Sequence, residues 1–315
     1  MKNLRLTVLA GGTGSAKFIR GLAKIFPQKN LSVIVNVGDN IKIYGLTICP
    51  DLDTIMYMFS SMLDKEKGWG VKEDTFNFQK MLKKYGLETW FKLGDKDLAT
   101  HIYRTFLLQK GYSLTEATKI LSKSLGVKAK ILPATNQWIE TKIVTKTGKI
   151  HFQEFWVKKQ AKPKVLNVTY EGIKKAKPTP EVVEAILKAK AIIISPANPI
   201  TSIKPILAIP GMEKLLQKTK AKILAISPII GNQPISGPAG KLMDGLGLKT
   251  SPITIAKIYK KFLDILLIHT TDKKLKNKIE KLGIKCVPTN ILMKNFKDEK
   301  KLAKFTLKIL GLNFP

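Results

Sequence analysis

Acidic residues are scarce in this sequence. Its 315 residues include 55 lysines and arginines but only 23 aspartates and glutamates, which gives a formal net charge of +32. A charge of this size attracts polyanions, so a basic nucleic-acid-binding protein is one candidate function. Arginine, which contacts bases and phosphates bidentately, occurs only at Arg5, Arg20 and Arg104, while lysine is spread along nearly every segment. We therefore expect the lysines to cover solvated helix faces, and nucleic acid not to be the main partner.

Cysteine, histidine and long apolar runs are also few. Cys49 and Cys286 are too few and too far apart to predict a disulfide framework or a zinc site. No Ser-His-Asp or Cys-His set is evident, because the three histidines lie far apart in the sequence. The apolar runs are broken by proline well below the length of a membrane span, and no cleavable signal is visible. These absences predict a cytoplasmic protein with no membrane partner.

The apolar residues that are present predict an α/β fold. They make up 44% of the chain, which is enough for a full core. Apolar strands alternate with helices, and this alternation predicts three layers with a mostly parallel, Rossmann-like sheet. The strands of this sheet are predicted at residues 4–10, 31–36, 191–194 and 221–226.

A mainly helical pattern interrupts this alternation at residues 64–126. Its helices are predicted at 76–85, 98–109 and 114–125, and a β-hairpin is predicted after it, over residues 141–157. We expect residues 64–126 to form an inserted helical lobe. Residues 1–63 and 127–315 would form the α/β nucleotide-binding core.

A glycine-rich turn follows the first predicted strand. A helix is predicted after it, at residues 18–25, and the turn itself contains Gly11, Gly12, Thr13, Gly14 and Ser15. A strand, a tight turn and a helix in this order place backbone N–H groups against a phosphate. The turn matches neither the P-loop pattern nor the dinucleotide-binding pattern, so a plain tight turn is the alternative interpretation.

Three aspartates lie on predicted loops at the ends of apolar strands. Asp51 and Asp53 precede a helix predicted to begin at about Thr54, and Asp39 belongs to the preceding VNVGDN turn. Either Asp51 or Asp53 could cap this helix, but capping does not account for all three carboxylates. Carboxylates on such loops suit a hard cation, so we predict Mg²⁺ as the cofactor and Asp39 and Asp53 as its ligands.

Two further polar loops are predicted at the same edge of the sheet. Asn198 lies in the loop after the strand at 191–194, and Lys241 follows a Gly-Pro-Ala-Gly turn. Ligands of such sheets bind at the carboxyl ends of the strands, so we predict that these residues and the glycine turn surround the phosphates of one ligand.

Lys92 lies in an unusual loop of the helical segment. It stands between Phe91 and Leu93, and an ammonium with apolar neighbours is expected to have a partner. Asp95 and Asp97 come after Lys92 and directly before the helix predicted at 98–109. One of the two is expected to cap that helix.

Together, these motifs resemble the 2-phospho-L-lactate transferase family of coenzyme F(420) biosynthesis. The resemblance extends to about Asp264 and is carried by the blocks LAGGTGSAKFIRGL, VNVGDN, CPDLDT, FKLGDKDLATH, HFQEFWV, SPANPITSI, SPIIGN and GPAGKLM. It departs from the family pattern locally, for example at Asn40, where a second acid is expected in the VNVGDN turn.

The resemblance implies a reaction and a set of site residues. A phospho-lactyl or related phospho-acyl group would move from a guanosine-diphosphate-linked donor (lactyl-2-diphospho-5'-guanosine) to 7,8-didemethyl-8-hydroxy-5-deazariboflavin, and GMP would leave. It implies that Mg²⁺ is required, that Asp53 and Lys92 hold the deazaflavin, and that Asp53 is catalytic. The residues then expected at the donor guanosine diphosphate are Gly11, Gly12, Thr13, Gly14, Ser15, Asn198 and Lys241. We also expect a homodimer.

Two other functions stay open at this stage. A non-catalytic nucleotide-binding regulator of the same fold is expected to lack the loop from Phe91 to His101. A basic nucleic-acid-binding protein is expected to bind oligonucleotides at moderately high salt and to have no affinity for the deazaflavin.

Overall fold

The fold is organised around one parallel sheet, in a computed structural model that describes residues 4–312. In chain order the strands are β1 (Leu6–Ala10), β2 (Leu31–Val35), β3 (Ile41–Ile43), β4 (Leu46–Ile48), β5 (Lys130–Pro133), β6 (Glu140–Thr145), β7 (Gly148–His151), β8 (Asn167–Glu171), β9 (Ala191–Ile194), β10 (Lys222–Ile226), β11 (Ile229–Ile230), β12 (Gln233–Pro234), β13 (Ile265–His269) and β14 (Lys285–Thr289). Seven of them form the central sheet, in the order β14-β13-β10-β9-β1-β2-β5. The predicted Rossmann-like α/β fold is confirmed.

Helices flank this sheet. In chain order they are α1 (Gly12–Leu22), α2 (Pro50–Phe59), α3 (Asn77–Lys84), α4 (Asp95–Gln109), α5 (Leu114–Ser124), α6 (Pro180–Leu187), α7 (Lys204–Leu207), α8 (Met212–Lys218), α9 (Ala239–Gly245), α10 (Pro252–Tyr259), α11 (Lys276–Glu280) and α12 (Phe296–Ile309). Every residue of β1 and β9 is buried, because a parallel sheet covered by helices needs apolar side chains on both faces. In residues 4–312 no helix is both long and apolar enough to cross a membrane.

Three helices begin at least three residues earlier than the sequence predicted, and one of them is α4, which begins at Asp95. α1 begins at Gly12 and not at Phe18, so the glycine turn forms the first turn of the helix. α2 begins at Pro50, which suits a first helical position because proline has no N–H to leave unpaired. Asp51 and Asp53 therefore lie in the first turn of α2 and not on a loop.

The segment predicted as a helical lobe contains α3, α4 and α5. It packs directly on the rest of the protein, because Leu114 and Leu121 of α5 belong to the same apolar core as the central sheet. A separate role for residues 64–126 stays a prediction.

A small antiparallel sheet covers the turn that follows β2. β6 and β7 form the predicted hairpin, and β8 pairs with the other edge of β6. β7 ends at His151, earlier than predicted, because the chain then winds into a π-helical turn that buries Phe155. The Thr141 N–H donates to the Gly38 carbonyl at 2.6 Å, and His151 Nε2 lies 3.1 Å from the Asn40 carbonyl oxygen.

Candidate active site

The predicted convergence of polar loops is found at the carboxyl ends of β1, β2 and β9. The parallel register places Ala10 beside Val35 and Leu9 beside Ile194, so the residues after each strand meet at one edge. A hydrogen bond of 2.7 Å joins Ser15 Oγ, in the first turns of α1, to Ser195 Oγ, directly after β9. The glycine turn and the loop that contains Asn198 are therefore in direct contact.

The five residues of the glycine turn have different roles. Ser15 is fully buried, and its hydroxyl accepts from the Gly11 N–H at 3.0 Å, so these two residues hold the turn together. Gly14 lies against the Pro196 carbonyl, where any Cβ would overlap the oxygen. Thr13 is exposed, and no side chain in residues 4–312 accepts from the Thr13 or Gly14 N–H. Those two N–H groups are the ones left for a phosphate.

Asp51 joins α2 to the glycine turn. Its carboxylate accepts from the Gly12 N–H at 2.7 Å and from Asn36 Nδ2 at 2.9 Å. Burial raises the pKa of Asp51 to about 6, against the lowering effect of these two hydrogen bonds. The interpretation of Asp51 as a cap of its own helix is wrong, since the N-cap residue of α2 is Cys49, which makes no side-chain cap.

Asp53 points away from Asp51, toward α4. Residues two apart on a helix project about 200° apart, and the Asp53 carboxylate forms a bidentate ion pair with the guanidinium of Arg104. The interpretation of Asp53 as a cap is therefore also wrong. Burial opposes the charge on Arg104, but the Asp53 carboxylate, together with Cys49 and Tyr57, outweighs burial and leaves the pKa of Arg104 above its ordinary value.

The Asp53–Arg104 pair belongs to a buried polar cluster between α2 and α4. His101 lies between two carboxylates, with Nδ1 3.6 Å from Asp53 Oδ2 and Nε2 3.2 Å from Asp97 Oδ1. The Tyr57 hydroxyl donates to Asp97 at 2.7 Å. Burial opposes ionisation of Asp97, but His101, the Tyr57 hydroxyl and Arg104 outweigh it and lower its pKa.

The sequence patterns did not predict this cluster. Its signal was the spacing of Asp53 and Tyr57 on one helix and of Asp97 and His101 on the other, since residues four apart share a helix face. With Arg104, one turn further along α4, the five side chains form two facing polar stripes that the sequence does not mark as partners.

Asp39 lies apart from this cluster, in the turn under the small sheet. Burial, followed by the negative charge of Asp51, raises the pKa of Asp39 well above its ordinary range. Asp39 Oδ1 and Asn40 Oδ1 are buried oxygens with no hydrogen-bond partner in the described part of the chain. Among residues 4–312, one set of three residues could hold a metal ion, and it lies in the cluster between α2 and α4: Asp53, Asp97 and His101. Asp39 is not part of it.

Lys92 is exposed, in a loop that is fixed from three sides. The Gln79 amide donates to the Phe91 carbonyl at 2.6 Å, the Tyr44 hydroxyl donates to the Glu88 carbonyl, and Lys158 pairs with Glu88 at 2.6 Å. Lys92 itself has no hydrogen-bond or ion-pair partner among residues 4–312. The prediction that Lys92 has a partner inside the protein is therefore wrong, and the Lys92 ammonium is free to contact a ligand.

Asn198 and Lys241 both make contacts inside the protein. The Asn198 side chain accepts from the Ile200 and Thr201 N–H groups and caps the π-helical turn that follows β9. Lys241 donates to the Ala161 carbonyl at 2.5 Å. The loop that contains Asn198 contacts the glycine turn, whereas the Lys241 ammonium is directed toward Ala161.

Comparisons with known proteins agree with the family read from the motifs. The sequence model of the family described as 2-phospho-L-lactate transferase CofD matches residues 6–304. A 2-phospho-L-lactate transferase of Methanosarcina mazei is 41% identical over 302 residues, which is 96% of this chain and 99% of that protein. One of Methanocaldococcus jannaschii is 40% identical over 310 residues, covering 97% and 98%.

A relative with a different name and a solved structure are also similar to this chain. A phosphoenolpyruvate transferase of Streptomyces griseus is 36% identical over 312 residues, which is 97% of this chain and 98% of that protein. A crystal structure of a UPF0052 family protein from Bacillus halodurans matches with a TM-score of 0.65 and 20% identity, over 98% of this chain and 99% of that one. The structural likeness concerns the fold alone.

The match thus spans nearly the whole chain, and relatives of about 40% identity carry the name of one enzyme. The resemblance found in the sequence blocks is confirmed, and the non-enzymatic alternatives are not favoured. This chain is a transferase that belongs to the 2-phospho-L-lactate transferase family.

Proposed function

We propose that this transferase moves a phospho-lactyl or related phospho-acyl group from a guanosine-diphosphate-linked donor to 7,8-didemethyl-8-hydroxy-5-deazariboflavin. The terminal ribityl hydroxyl oxygen forms a bond to the phosphorus that carries the acyl group, and the bond between that phosphorus and GMP breaks. Such a transfer requires alignment and charge neutralisation more than covalent chemistry. Exposed N–H groups, buried carboxylates and one free lysine are therefore suitable parts.

The position of the first turn of α2 is the observation that carries this proposal. Asp51 on this turn contacts Gly12 of the glycine turn, and Asp53 contacts α4, the helix that follows the Lys92 loop. A donor bound at Thr13 and Gly14 and an acceptor bound at Lys92 would then lie on two sides of one helical turn. Asp53, at the boundary, is the proposed catalytic residue and faces the acceptor hydroxyl.

Of the two residues predicted to hold Mg²⁺, Asp39 fits an oxygen-preferring cation. Asp39 Oδ1 and Asn40 Oδ1 are buried without partners, as a turn that receives a cation requires. Asp53, the other predicted ligand, is less suited, because Arg104 already bonds both of its oxygens and it points away from the Asp39 turn. We propose that Asp39 holds the cation, which when bound would neutralise charge on the donor diphosphate.

The set of Asp53, Asp97 and His101 is a poorer magnesium site. Arg104 Nη1 lies 3.3 Å from His101 Nδ1, so a second cation there would meet the positive charge of the guanidinium. Mg²⁺ also prefers oxygen to nitrogen ligands. These three side chains are better explained as partners of Arg104 and Tyr57.

The identity of the acyl group is the finer part of the proposal. Relatives named 2-phospho-L-lactate transferase are 38–42% identical to the chain, and the phosphoenolpyruvate transferase is 36% identical. This difference favours a phospho-lactyl donor. The same proposal includes a cytoplasmic location and a homodimer.

The test is an assay of the purified protein with Mg²⁺, the deazaflavin and either the lactyl or the phosphoenolpyruvyl donor. We expect GMP release and a deazaflavin whose mass increases by the phospho-acyl group, with the lactyl donor giving the higher kcat/KM. A fluorescence titration with the deazaflavin alone separates the alternatives. No deazaflavin binding, together with oligonucleotide binding that persists at moderately high salt, would favour a nucleic-acid-binding protein instead.

A further inference from the structure

Arg104 is a charged side chain in a place where the fold does not require a charge. It is 1% exposed, and it is among the largest fully buried side chains of the described residues. A buried ion pair is often no more stabilising than apolar residues of the same volume. The guanidinium therefore calls for an explanation other than stability.

Apart from His101 on its own helix, the hydrogen-bond partners of Arg104 lie at the beginning of α2 or in the strand before it. Its Nη1 atom donates to Asp53 Oδ2 at 3.1 Å and to the Thr47 carbonyl at 3.4 Å, and Nη2 bonds Asp53 Oδ1. The neighbouring Thr105 hydroxyl accepts from the Thr47 N–H at 2.9 Å. α4 thus holds both the strand that leads into α2 and the carboxylate on its first turn.

Arg104 competes for the Asp53 carboxylate with the free N–H groups at the start of α2, and without Arg104 these N–H groups would be its partners. The first N–H groups of a helix have no intrahelical acceptor, and the positive end of the helix dipole attracts a carboxylate in the first turn. Cys49 at the N-cap position leaves these N–H groups without a side-chain cap. The Asp53 carboxylate would therefore turn toward its own helix.

The rest of the cluster keeps Arg104 in place. Asp97 and His101 lie on the same face of α4 as Arg104, and Nδ1 of His101 is 3.3 Å from Nη1. Asp53, Asp97 and Arg104 are all at least nine-tenths buried, so removal of the one guanidinium would leave two buried carboxylates without it. Arg104 is held between the Asp53 carboxylate on α2 and the His101 ring on α4.

We propose that Arg104 is a positioning residue, which holds the Asp53 carboxylate away from its own helix and toward the acceptor. This inference rests on the proposed function, in which Asp53 faces the acceptor hydroxyl. Arg104 does not touch the substrate. It also couples Asp53 to α4, so that Asp53 and the Lys92 loop keep one relative position.

A double-mutant cycle with Arg104→Met and Asp53→Asn tests the proposal. In the wild-type background we expect Arg104→Met to lower kcat at least 100-fold, with the KM for the donor changed less than threefold. In the Asp53→Asn background Arg104→Met should lower kcat less than threefold further, because Arg104 acts only through Asp53. Arg104→Lys, which keeps the charge but not the two parallel hydrogen bonds, should recover part of kcat. Equal losses of kcat in both backgrounds would overturn the proposal.

Arg20→Met is the control for the loss of an arginine that is paired with a buried carboxylate. Arg20 on α1 forms a bidentate pair with the buried Glu299 of α12, at 2.5 and 2.7 Å. Both arginine variants should unfold at lower temperature, but only Arg104→Met should lower kcat at a temperature where both are folded. A similar fall in kcat for Arg20→Met would make the effect one of stability and contradict positioning.

A crystal structure of the Arg104→Met variant tests the geometry without any assay. We expect the Asp53 carboxylate to accept from N–H groups of the first turn of α2. An unchanged Asp53 orientation would overturn the proposal, whatever the activity. Wild-type protein that releases no GMP with either donor would instead contradict the proposed function alone, since the crystal structure would still decide how Asp53 is held.

Discussion

Asp74 and Asp95 cap each other's helices. Asp95, the first residue of α4, accepts from the Asn77 and Phe78 N–H groups at the start of α3, both at 3.0 Å. Asp74, just ahead of α3, accepts from the Lys96 and Asp97 N–H groups at the start of α4, at 2.8 and 3.0 Å. The prediction that Asp95 or Asp97 caps α4 is therefore wrong, because the cap comes from Asp74, 22 residues before Lys96.

This exchange of caps explains why residue 94 is a glycine, and it holds the Lys92 loop in place. Any Cβ on Gly94 would overlap the Asp74 carboxylate, so only glycine allows the approach. The loop that contains Lys92 runs from the end of α3 to the start of α4, and both helices are tied together at their first turns.

Asp74→Ala should destabilise the protein and weaken acceptor binding together. Loss of a capping carboxylate costs about 1–2 kcal/mol, to be measured by urea denaturation. Because the start of α4 would loosen beside the Lys92 loop, the KM for the deazaflavin should rise several-fold while the KM for the donor stays constant.

Ser113→Ala is the control for this variant. Ser113 caps α5 through a capping box with Glu116, so its loss should cost about 1 kcal/mol. It is not part of the Lys92 loop, and its variant should leave the deazaflavin KM unchanged. A higher deazaflavin KM in both variants would show that general destabilisation, and not the Asp74 cap, sets acceptor binding.

Asp53→Asn should lower both turnover and stability. We expect kcat to fall by orders of magnitude, and the free energy of unfolding to fall by about 3 kcal/mol, because Arg104 is left buried beside a neutral side chain. Activity should be measured at saturating Mg²⁺ and well below the unfolding temperature. Near-normal turnover there would remove Asp53 from the catalytic role.

The outcome for Asp53 shows what sequence patterns can and cannot predict here. Four strands of the central sheet, the hairpin and the helices of the first half of the chain followed from apolar periodicity, because each depends on residues close in sequence. The meeting of the strand ends followed from the parallel order of these strands. The partners of Asp53 and Asp51 did not follow, since Arg104 is 51 residues away and Gly12 is 39 residues away. Only packing decides which side chains face each other across two helices.

The glycine turn shows the same limit at shorter range. The pattern predicted a tight turn close to a phosphate, and Thr13 and Gly14 keep N–H groups that are available for one. It did not predict that Ser15 would be buried against Ser195, or that Gly14 would lie under the Pro196 carbonyl. Both contacts depend on a loop about 180 residues later in the chain.

Gly14→Ala should therefore lower the free energy of unfolding even in the absence of the donor. The new methyl group would overlap a backbone oxygen, and overpacking of this kind costs about 1–3 kcal/mol. Gly240→Ala is the control, because a Cβ there meets only ordinary contacts and helical glycine gains from the change. Equal stability of the two variants in urea would contradict the close approach of Gly14 to Pro196.

Phe106→Glu tests the expected homodimer. Ile102, Tyr103 and Phe106 form an exposed apolar face of α4, opposite the buried Asp97, His101 and Arg104. Exposed apolar faces of this kind are suited to a second copy of the chain. Light scattering should give a dimer for the wild type and a monomer for Phe106→Glu. Leu187→Glu, on α6, is the control and should stay dimeric. A wild-type monomer at micromolar concentration would contradict the homodimer.

Lys92→Ala tests the division of the site into an acceptor side and a donor side. The Lys92 ammonium is exposed and has no partner in residues 4–312, so its loss should leave the unfolding free energy nearly unchanged. The dissociation constant of the deazaflavin should rise about tenfold, the scale of one charged hydrogen bond, while GDP affinity changes little.

The control for Lys92→Ala is Lys128→Ala, because it removes the same charge far from the acceptor. Lys128 is an exposed loop lysine that precedes β5, at the opposite edge of the sheet from the strand ends that form the site. If general attraction by the positive surface dominated binding, both variants would weaken the deazaflavin equally, and added salt would reduce the difference from wild type. If Lys92→Ala weakened GDP and spared the deazaflavin, Lys92 would belong to the donor phosphates, and the α2 turn would not separate the two substrates.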